Sequence, residues 1–233
     1  MVREGYYFGL PALFAGILAL VMGSRNGIIV GSALVLLALF VFSFFRNPER
    51  IIPTGPGLVV SPADGRVVIV KEEENAGRHG KRISIFLAIW NVHVNRSPAS
   101  GTITRLEYKP GKFLAAWAET ASVENEQNVF TLVGESGELV FKQIAGYVAR
   151  RVVSWKKSGD VVQRGERIGL VRFGSRMDIW LPEDAELMVK VGDNVKGGCS
   201  VLARMADRIG VREDGGDSLR RSQQKIGEED RPA

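Results

Sequence analysis

The residues of this sequence with the clearest capacity for chemistry are Gly174 and Ser175, which stand between two β-branched runs. A serine hydroxyl that follows a glycine can attack the preceding carbonyl carbon, because glycine leaves that carbonyl unshielded and lets the backbone bend toward the hydroxyl. The sequence therefore predicts self-cleavage between residues 174 and 175. A Gly-Ser turn in a β-hairpin is the alternative that these residues alone leave open.

Two histidines could activate such a serine. His79 lies in a polar, glycine-containing stretch that predicts an exposed loop, whereas His93 follows an apolar run that predicts a buried strand. A histidine at a strand end is a candidate general base, and a core histidine satisfied by backbone hydrogen bonds is the alternative. Asp64 could orient the imidazole, although Asp64-Gly65 by itself is a turn signal.

Four segments carry a resemblance to a known family: SPADG at 61–65, NVHVNRSP at 91–98, GYVARRV at 146–152 and FGS at 173–175. In residues, order and spacing they resemble phosphatidylserine decarboxylase proenzymes of the short bacterial and archaeal type. The resemblance extends from about Phe45 to Arg204. It implies a self-cleaving triad, which falls on Asp64, His93 and Ser175.

One position departs from the pattern of that family. Many relatives of the longer type carry a second histidine three residues before the triad histidine, where this chain has Trp90. No proton-handling role of that extra histidine can be transferred to this chain.

The resemblance also implies a cofactor made from the chain itself. Ser175 would attack the Gly174 carbonyl to give an ester, elimination would release a β chain of residues 1–174, and loss of ammonia would leave a pyruvoyl group on an α chain of residues 175–233. The substrate amine would form a Schiff base with that group, so that the electrons released with CO2 enter the adjacent carbonyl. The implied reaction converts phosphatidylserine to phosphatidylethanolamine and CO2.

An anionic phospholipid headgroup calls for cationic partners near the site. Arg96, Arg150 and Arg151 lie in the matching segments and are candidates, because a guanidinium group binds phosphate and carboxylate through two parallel hydrogen bonds. A solvated surface position is an equal alternative for each.

The N-terminal region, residues 1–47, predicts a transmembrane helical hairpin. Residues 5–24 and 26–45 contain no charged side chain and are separated by Arg25. At about 1.5 Å per residue, each run forms a helix about 30 Å long, the thickness of the hydrocarbon core. A secretory signal is the weaker alternative, because its apolar region is normally shorter and is not followed by a second equal run.

The charges that flank the two runs predict the orientation of the hairpin. Arg3 precedes the first run and Arg46 and Arg50 follow the second, against Arg25 alone at the turn. The positive-inside rule places both ends in the cytoplasm. We therefore expect a protein of the cell (inner) membrane with its catalytic domain on the cytoplasmic side.

Residues 48–210 predict a β-rich catalytic domain. The region is a series of short β-branched runs broken by turns: 67–70, 83–89, 102–108, 129–133, 139–144, 168–173 and 177–180. The pattern predicts a mostly β fold, a compact sandwich-like domain. Residues 211–233 are rich in both charges and poor in apolar residues, which predicts a disordered tail.

An internal repeat supports the β prediction. Gly159, Asp160, Val162, Gly165 and Ile168 recur 33 positions later as Gly192, Asp193, Val195, Gly198 and Val201. The G-D-x-V-x-x-G pattern resembles the turns of lipoyl and biotinyl carrier domains. The Met-Lys pair of a carrier is absent from the sequence, so the resemblance concerns architecture.

The composition favours some kinds of partner and excludes some kinds of site. The net charge of +5 favours anionic membranes or substrates, while no nucleic-acid-binding motif accompanies it. The single cysteine, Cys199, excludes an internal disulfide and a thiolate metal cluster, and no metal site is predicted. The alternatives are a membrane-anchored serine hydrolase, which would need a G-x-S-x-G elbow, and a non-catalytic β adaptor of the membrane-fusion type. The sequence is compatible with a homo-oligomer.

Overall fold

The computed structural model describes residues 1–75, 78–116, 119–147, 151–171 and 175–206. Gly174, Arg150 and the predicted tail 211–233 lie outside the described residues. Two long helices come first, α1 (Arg3–Val21) and α2 (Arg25–Phe44), and a short one, α3 (Ala121–Glu124), interrupts the strands. The described strands are β1 (Leu58–Val60), β2 (Gly65–Asn75), β3 (Arg78–Leu87), β4 (Val94–Arg96), β5 (Gly101–Lys109), β6 (Gln127–Gly134), β7 (Gly137–Ile144), β8 (Val152–Ser154), β9 (Val161–Val162), β10 (Arg167–Val171), β11 (Ser175–Pro182), β12 (Glu186–Leu187), β13 (Asn194–Val195) and β14 (Val201–Arg204). The predicted mostly β fold, preceded by two apolar helices, is confirmed.

The helices α1 and α2 form an antiparallel pair, and both are long and apolar enough to cross a membrane. They approach closely at Gly16 and Gly31, where a Cβ on Gly31 would lie 2.7 Å from the Gly16 carbonyl oxygen. The open ends of the pair are joined because Val2 N donates to Phe45 O at 3.2 Å. The beginning of α1 and the end of α2 therefore lie together beside the β domain.

The described strands form one large curled sheet and two small ones. The large sheet has the order β13-β2-β3-β11-β7-β6-β5-β9, and the small sheets have the orders β1-β14-β12 and β4-β10-β8. The strands β10 and β11, the described strands on either side of Gly174, belong to different sheets and do not pair with each other as the strands of a hairpin do. The hairpin-turn alternative for Gly174-Ser175 is therefore wrong. His79 lies on β3, so the loop predicted for it is also wrong.

The repeat detected in the sequence corresponds to two equivalent turns at the two edges of the large sheet. Asp160 Oδ2 accepts a hydrogen bond from Lys157 N at 3.0 Å, and Asp193 Oδ2 accepts one from Lys190 N at 2.9 Å. Each turn leads into an edge strand, β9 against β5 and β13 against β2. The two copies of the repeat thus supply the two edge strands of the large sheet.

A second repeat, not recognised in the sequence analysis, precedes β2 and β5. Residues 61–65 (SPADG, the first turn) and residues 97–101 (SPASG, the second turn) have the same internal bond: Ser61 Oγ donates to Ala63 O at 2.6 Å, and Ser97 Oγ donates to Ala99 O at 2.7 Å. The turns also bond to each other reciprocally. Val60 N donates to Pro98 O at 2.8 Å, and Arg96 N donates to Pro62 O at 2.9 Å.

These contacts divide the β domain into two intertwined halves with an approximate two-fold relation. The Asp64 half contains β1, the first turn, β2, β12, β13 and β14, and the His93 half contains β4, the second turn, β5, β8, β9 and β10. Gly57 and His93 occupy equivalent places, since Met205 N donates to Gly57 O at 2.8 Å and Val171 N donates to His93 O at 3.2 Å. The central strands β11 and β7 lie between the halves.

Candidate functional site

Ser175 is the first residue of β11 and pairs with Leu87 of β3. Its side chain is fully buried, and its Oγ has no hydrogen-bond partner among the described residues. Side chains alternate between the faces of a strand, so Ser175 shares its face with Met177, a residue of the main hydrophobic core. A buried hydroxyl without a partner is unusual, because burial normally leaves such groups hydrogen-bonded.

His93 lies just before β4 and is also buried. Its ring packs on the ring of Phe44, the last residue of α2, with centroids 4.0 Å apart. Its Nδ1 lies 2.9 Å from the carbonyl oxygen of Asn91. A carbonyl can only accept, so Nδ1 carries the proton and Nε2 carries the free lone pair. Among the described residues, Nε2 has no hydrogen-bond partner.

The electrostatic surroundings keep this imidazole neutral. Burial lowers the pKa of His93 to about 4, and the nearby charge of Arg46 acts in the same direction, while the bond to the Asn91 carbonyl opposes it. The ring is therefore an unprotonated base at neutral pH, with its basic nitrogen uncommitted.

The chain path brings His93 and Ser175 into one region without bonding them. The carbonyl of His93 pairs with Val171, the last residue of β10, and residues 172–174 separate Val171 from Ser175. Both reactive atoms lack partners in the described part of the chain, so no hydrogen bond joins them in this conformation.

Asp64 lies in the first turn and contacts other groups than His93. Its carboxylate forms an ion pair with Arg50 Nη2 at 2.8 Å, and its Oδ1 accepts from Gly197 N at 2.7 Å. The predicted orienting contact from Asp64 to the imidazole is not formed here; the Asn91 carbonyl makes the contact that selects the tautomer. Asp64 does line, with Arg46, Arg50 and Val92, an open cavity of about 400 Å³. Val92 precedes His93 in the chain, but His93 itself does not line this cavity.

The three predicted arginines have different surroundings. Arg96 is buried, and it donates to Gly165 O at 2.8 Å and to Pro48 O at 3.0 Å, so its guanidinium ties the linker after α2 to the β domain. Burial lowers the pKa of Arg96 below its ordinary value. Arg151 is exposed, and Arg150 lies outside the described residues.

Arg46 and Arg50 were not predicted as site residues, although both line the cavity. Arg46 donates to the carbonyl of Ser43 and to that of Trp90, each at 2.7 Å. The sequence signal was their place directly after an apolar run, which we interpreted only as a topology signal.

An ionic cluster on the opposite face of β11 was also missed. Arg176 Nε lies 2.5 Å from Asp178 Oδ1, and Arg176 Nη2 donates to Ser84 Oγ at 2.8 Å. Ser122 Oγ of α3 bonds to both Arg176 and Asp178. All four side chains are buried, so this cluster fixes the strand that begins at Ser175. An Arg-x-Asp pattern inside an apolar strand is the signal that could have revealed it.

In the described residues, no three His, Cys, Asp or Glu side chains lie close enough together to hold a metal ion. The chemistry available at this site is that of a neutral base, a buried hydroxyl and the cationic and anionic groups of the cavity.

Comparison with known proteins identifies the family. The sequence pattern of the family described as phosphatidylserine decarboxylase matches residues 37–203. The phosphatidylserine decarboxylase proenzyme of Symbiobacterium thermophilum is 47% identical over 209 residues, which cover 88% of this chain and 95% of the relative. That of Solibacter usitatus is 46% identical over 208 residues, covering 89% and 98%. The chain belongs to the phosphatidylserine decarboxylase family and is a decarboxylase.

Proposed function

We propose that this decarboxylase cuts itself between Gly174 and Ser175 and acts on phosphatidylserine through a pyruvoyl group made from Ser175. The observation that carries the proposal is a pair of buried atoms, Ser175 Oγ and His93 Nε2, that have no hydrogen-bond partner in the described part of the chain. One is a nucleophile without a base, and the other is a base without a proton to take. Family membership supports the same reaction.

The maturation step uses side chains of this chain and one water. His93 Nε2 takes the hydroxyl proton as Ser175 Oγ bonds to the carbonyl carbon of Gly174, and the C–N bond breaks to give an ester and a free amine. Loss of the Ser175 Cα proton then expels the upstream chain as a carboxylate. The dehydroalanine that remains shifts to an imine, and water hydrolyses the imine to a ketone and ammonia.

The residues around position 175 fit a pyruvoyl group. Residue 175 is buried, and its strand is paired with β3 and β7, a pairing that would hold the strand after the chain before it is cut. The group would supply a ketone that binds the substrate amine and a carbonyl that accepts the electrons released with CO2. The ionic cluster of Arg176 and Asp178 would hold this new chain end in register.

We assign Asp64 a supporting role in this chemistry. Its carboxylate lies at the wall of the cavity and is held by Arg50 in the conformation described. When His93 accepts the Ser175 proton, the imidazole becomes cationic in a buried place, and a nearby carboxylate stabilises that charge. Asp64 would then act on the imidazolium, while the Asn91 carbonyl sets the tautomer.

The substrate headgroup would enter the cavity lined by Arg46, Arg50, Asp64 and Val92. Arg46 lines this cavity and is only partly buried, whereas Arg96 is buried and does not line it, so we propose Arg46 in place of Arg96 as the contact for the anionic headgroup. Arg150 and Arg151 remain predictions for the same role.

The membrane would bring the lipid to this cavity. We propose that α1 and α2 span the bilayer with both ends in the cytoplasm, where the contact between Phe44 and His93 holds the site at the end of the hairpin. Trp90 and Ile89 are exposed in a turn closed by a bond from Ala88 N to Asn91 Oδ1 at 2.8 Å. Arg46 ties this turn to the end of α2, so Trp90 would lie at the headgroup level, as interfacial tryptophans do.

The depth of Trp90 can be measured in the full-length protein. Brominated lipids should quench tryptophan fluorescence more in the parent than in Trp90→Phe. Equal quenching in both would place the turn away from the bilayer.

The proposed function is tested by the mass of the purified protein. We expect two chains, with a smaller chain that begins with a blocked residue 175, and one uncut, inactive chain for Ser175→Ala. Borohydride added with phosphatidylserine should attach the lipid amine to the smaller chain of the parent. A parent that stays full-length, or a Ser175→Ala variant that releases CO2 at the parental rate, contradicts the proposal.

A further inference from the structure

A chain of three buried amide side chains ends near the candidate site. Asn128 Nδ2 donates to Gln143 Oε1 at 2.9 Å, and Gln143 Nε2 donates to Asn95 Oδ1 at 2.8 Å. Gln143 Nε2 also donates to the carbonyl of Val153 at 3.3 Å, which identifies the nitrogen of Gln143 and sets the direction of the chain. The last amide nitrogen, Asn95 Nδ2, is buried and has no partner among the described residues.

The strand register places this amide chain on the same face as Ser175. Gln143 of β7 lies opposite Met177 of β11, and opposite residues share a face of the sheet. Ser175 is two residues from Met177 on the same strand and shares that face. Gln143 is therefore a diagonal neighbour of Ser175, about 7–8 Å away between Cα atoms, and it holds the Asn95 amide.

The two-fold relation between the halves shows that the fold does not require this amide. Asn95 is the middle residue of β4, and the middle residue of the equivalent β1 is Val59, which is buried in the main core. The same place thus accepts an apolar side chain in the Asp64 half. The His93 half instead holds a donor that has no partner among the residues the structure describes, and such a donor destabilises the folded chain unless a ligand or an intermediate uses it.

We infer that Asn95 Nδ2 donates a hydrogen bond to the oxyanion that forms when Ser175 Oγ attacks the preceding carbonyl. This inference rests on the proposed self-cleavage. As the Oγ–C bond forms, the hydroxyl proton passes to His93 Nε2, and the carbonyl π electrons move to the oxygen, where the negative charge accepts the Asn95 N–H. When the C–N bond breaks, the proton passes from His93 to the departing amine and the carbonyl reforms as an ester.

The chemistry of an amide chain suits a charge that exists only briefly. A neutral N–H stabilises the oxyanion without repelling any group in the resting site, and two preceding amides polarise it in the same direction. The donor is already held by Gln143 before the reaction, so little reorganisation is needed when the charge develops.

Two substitutions at Asn95 distinguish the effect of its N–H on self-cleavage from its contribution to packing. Asn95→Asp keeps the oxygen that accepts from Gln143 and replaces the N–H by a charge, whereas Asn95→Val removes the N–H without adding a charge and places in β4 the residue that β1 carries. We expect each to slow self-cleavage of the full-length protein in lipid nanodiscs by about 10²- to 10³-fold, the loss measured for single oxyanion donors. Asn128→Ala, which shortens the amide chain at its far end, should slow cleavage less than tenfold, although it removes a buried hydrogen bond and should lower the unfolding temperature.

Hydroxylamine distinguishes a role in ester formation from a structural role, because it cleaves esters and leaves Ser175 intact on the smaller chain. If Asn95 stabilises the oxyanion, little ester forms in Asn95→Asp, and hydroxylamine releases no additional chain that begins with serine. Accumulation of such a chain in this variant, or parental cleavage rates in Asn95→Val, overturns the inference. A parent protein that does not cut itself would instead overturn the proposed function.

Discussion

The first turn and the second turn of the β domain have the same internal hydrogen bond and differ in one side chain, Asp64 in the first and Ser100 in the second. Asp64 Oδ1 accepts from Gly197 N at 2.7 Å, and in the other half Ser100 Oγ accepts from Arg164 N at 2.9 Å. The fold therefore requires one side-chain oxygen at this position, to accept a hydrogen bond from the backbone N–H. The second oxygen and the charge of Asp64 exceed that requirement, and they contact Arg50 at the cavity.

The equivalent pair Gly57 and His93 differs in the same way. Gly57 has φ +65°, and a Cβ there would lie 2.2 Å from the carbonyl oxygen of Met205, so that position excludes a side chain. The His93 half leaves room for an imidazole against Phe44. Each half thus contributes a different functional group, and the proposed site requires both halves.

The largest expected effect comes from removing the base of the His93 half. His93→Gln keeps a planar polar side chain but has no nitrogen that can take a proton. We expect self-cleavage to fall by about 10⁵-fold or more, in line with loss of the histidine from a serine-histidine-aspartate triad. The measurement is the fraction of two-chain protein over days by intact mass. Cleavage within tenfold of the parent would mean that another group is the base.

The next effect tests whether the second oxygen and the charge of Asp64, which Ser100 lacks, are needed for self-cleavage. Asp64→Ser gives the first turn the side chain of the second, keeping an acceptor for Gly197 N while removing the charge. We expect cleavage to slow by about 10³- to 10⁴-fold, as for loss of a triad carboxylate, with the fold retained.

The matched control for that substitution is Ser100→Ala in the other half. It removes the hydrogen bond from Arg164 N and a longer one, at 3.5 Å, to Gln163 Oε1, so it should lower the free energy of unfolding by about 1 kcal/mol without changing the cleavage rate. Equal cleavage rates for Asp64→Ser and Ser100→Ala would show that the two turns serve the fold alone.

A third effect concerns stability and the central strand between the halves. Asp178→Ala leaves Arg176 buried beside hydroxyl groups without its carboxylate, which should lower the free energy of unfolding by about 3–5 kcal/mol. Chemical denaturation of the Ser175→Ala background measures it without interference from cleavage. The exposed pair of Arg105 and Glu107 is the control, and Glu107→Ala should change stability by less than about 1 kcal/mol. Similar losses in both variants would contradict a stabilising role of the buried pair.

The smallest effect is the response of cleavage to pH. The pKa of His93 is lowered by burial to about 4, so the imidazole stays unprotonated as the pH falls from neutrality. Cleavage should lose half its rate near pH 4 and not near the ordinary value of 6.5. The unfolded chain binds this proton more tightly, so folding stability should fall as the pH drops from about 6.5 to about 4. A midpoint near 6.5 in the rate profile would contradict a buried base.

Local patterns were sufficient for the main elements of the fold. The uncharged runs predicted α1 and α2, and the β-branched runs predicted the seven long or central strands, because periodicity and composition report directly on burial. The other seven strands were not among the predicted runs, since they are two to four residues long and their pairing comes from distant segments: β1, β4, β8, β9, β12, β13 and β14. The second repeat is present in the sequence as SPADG at 61–65 and SPASG at 97–101, but the similarity of these two segments was not used to predict equivalent turns.

The sequence by itself determined the kinds of groups present: a Gly-Ser bond, one histidine after a buried run, a carboxylate in a turn and two apolar spans. The tertiary structure decided their partners, because those depend on contacts between residues far apart in the chain. In the folded chain Asp64 forms an ion pair with Arg50, and His93 Nδ1 donates to the Asn91 carbonyl. The Arg96 guanidinium donates to backbone carbonyls. Ser175 Oγ and Asn95 Nδ2 remained without partners in the described residues, and only three-dimensional packing can bury a polar atom without pairing it.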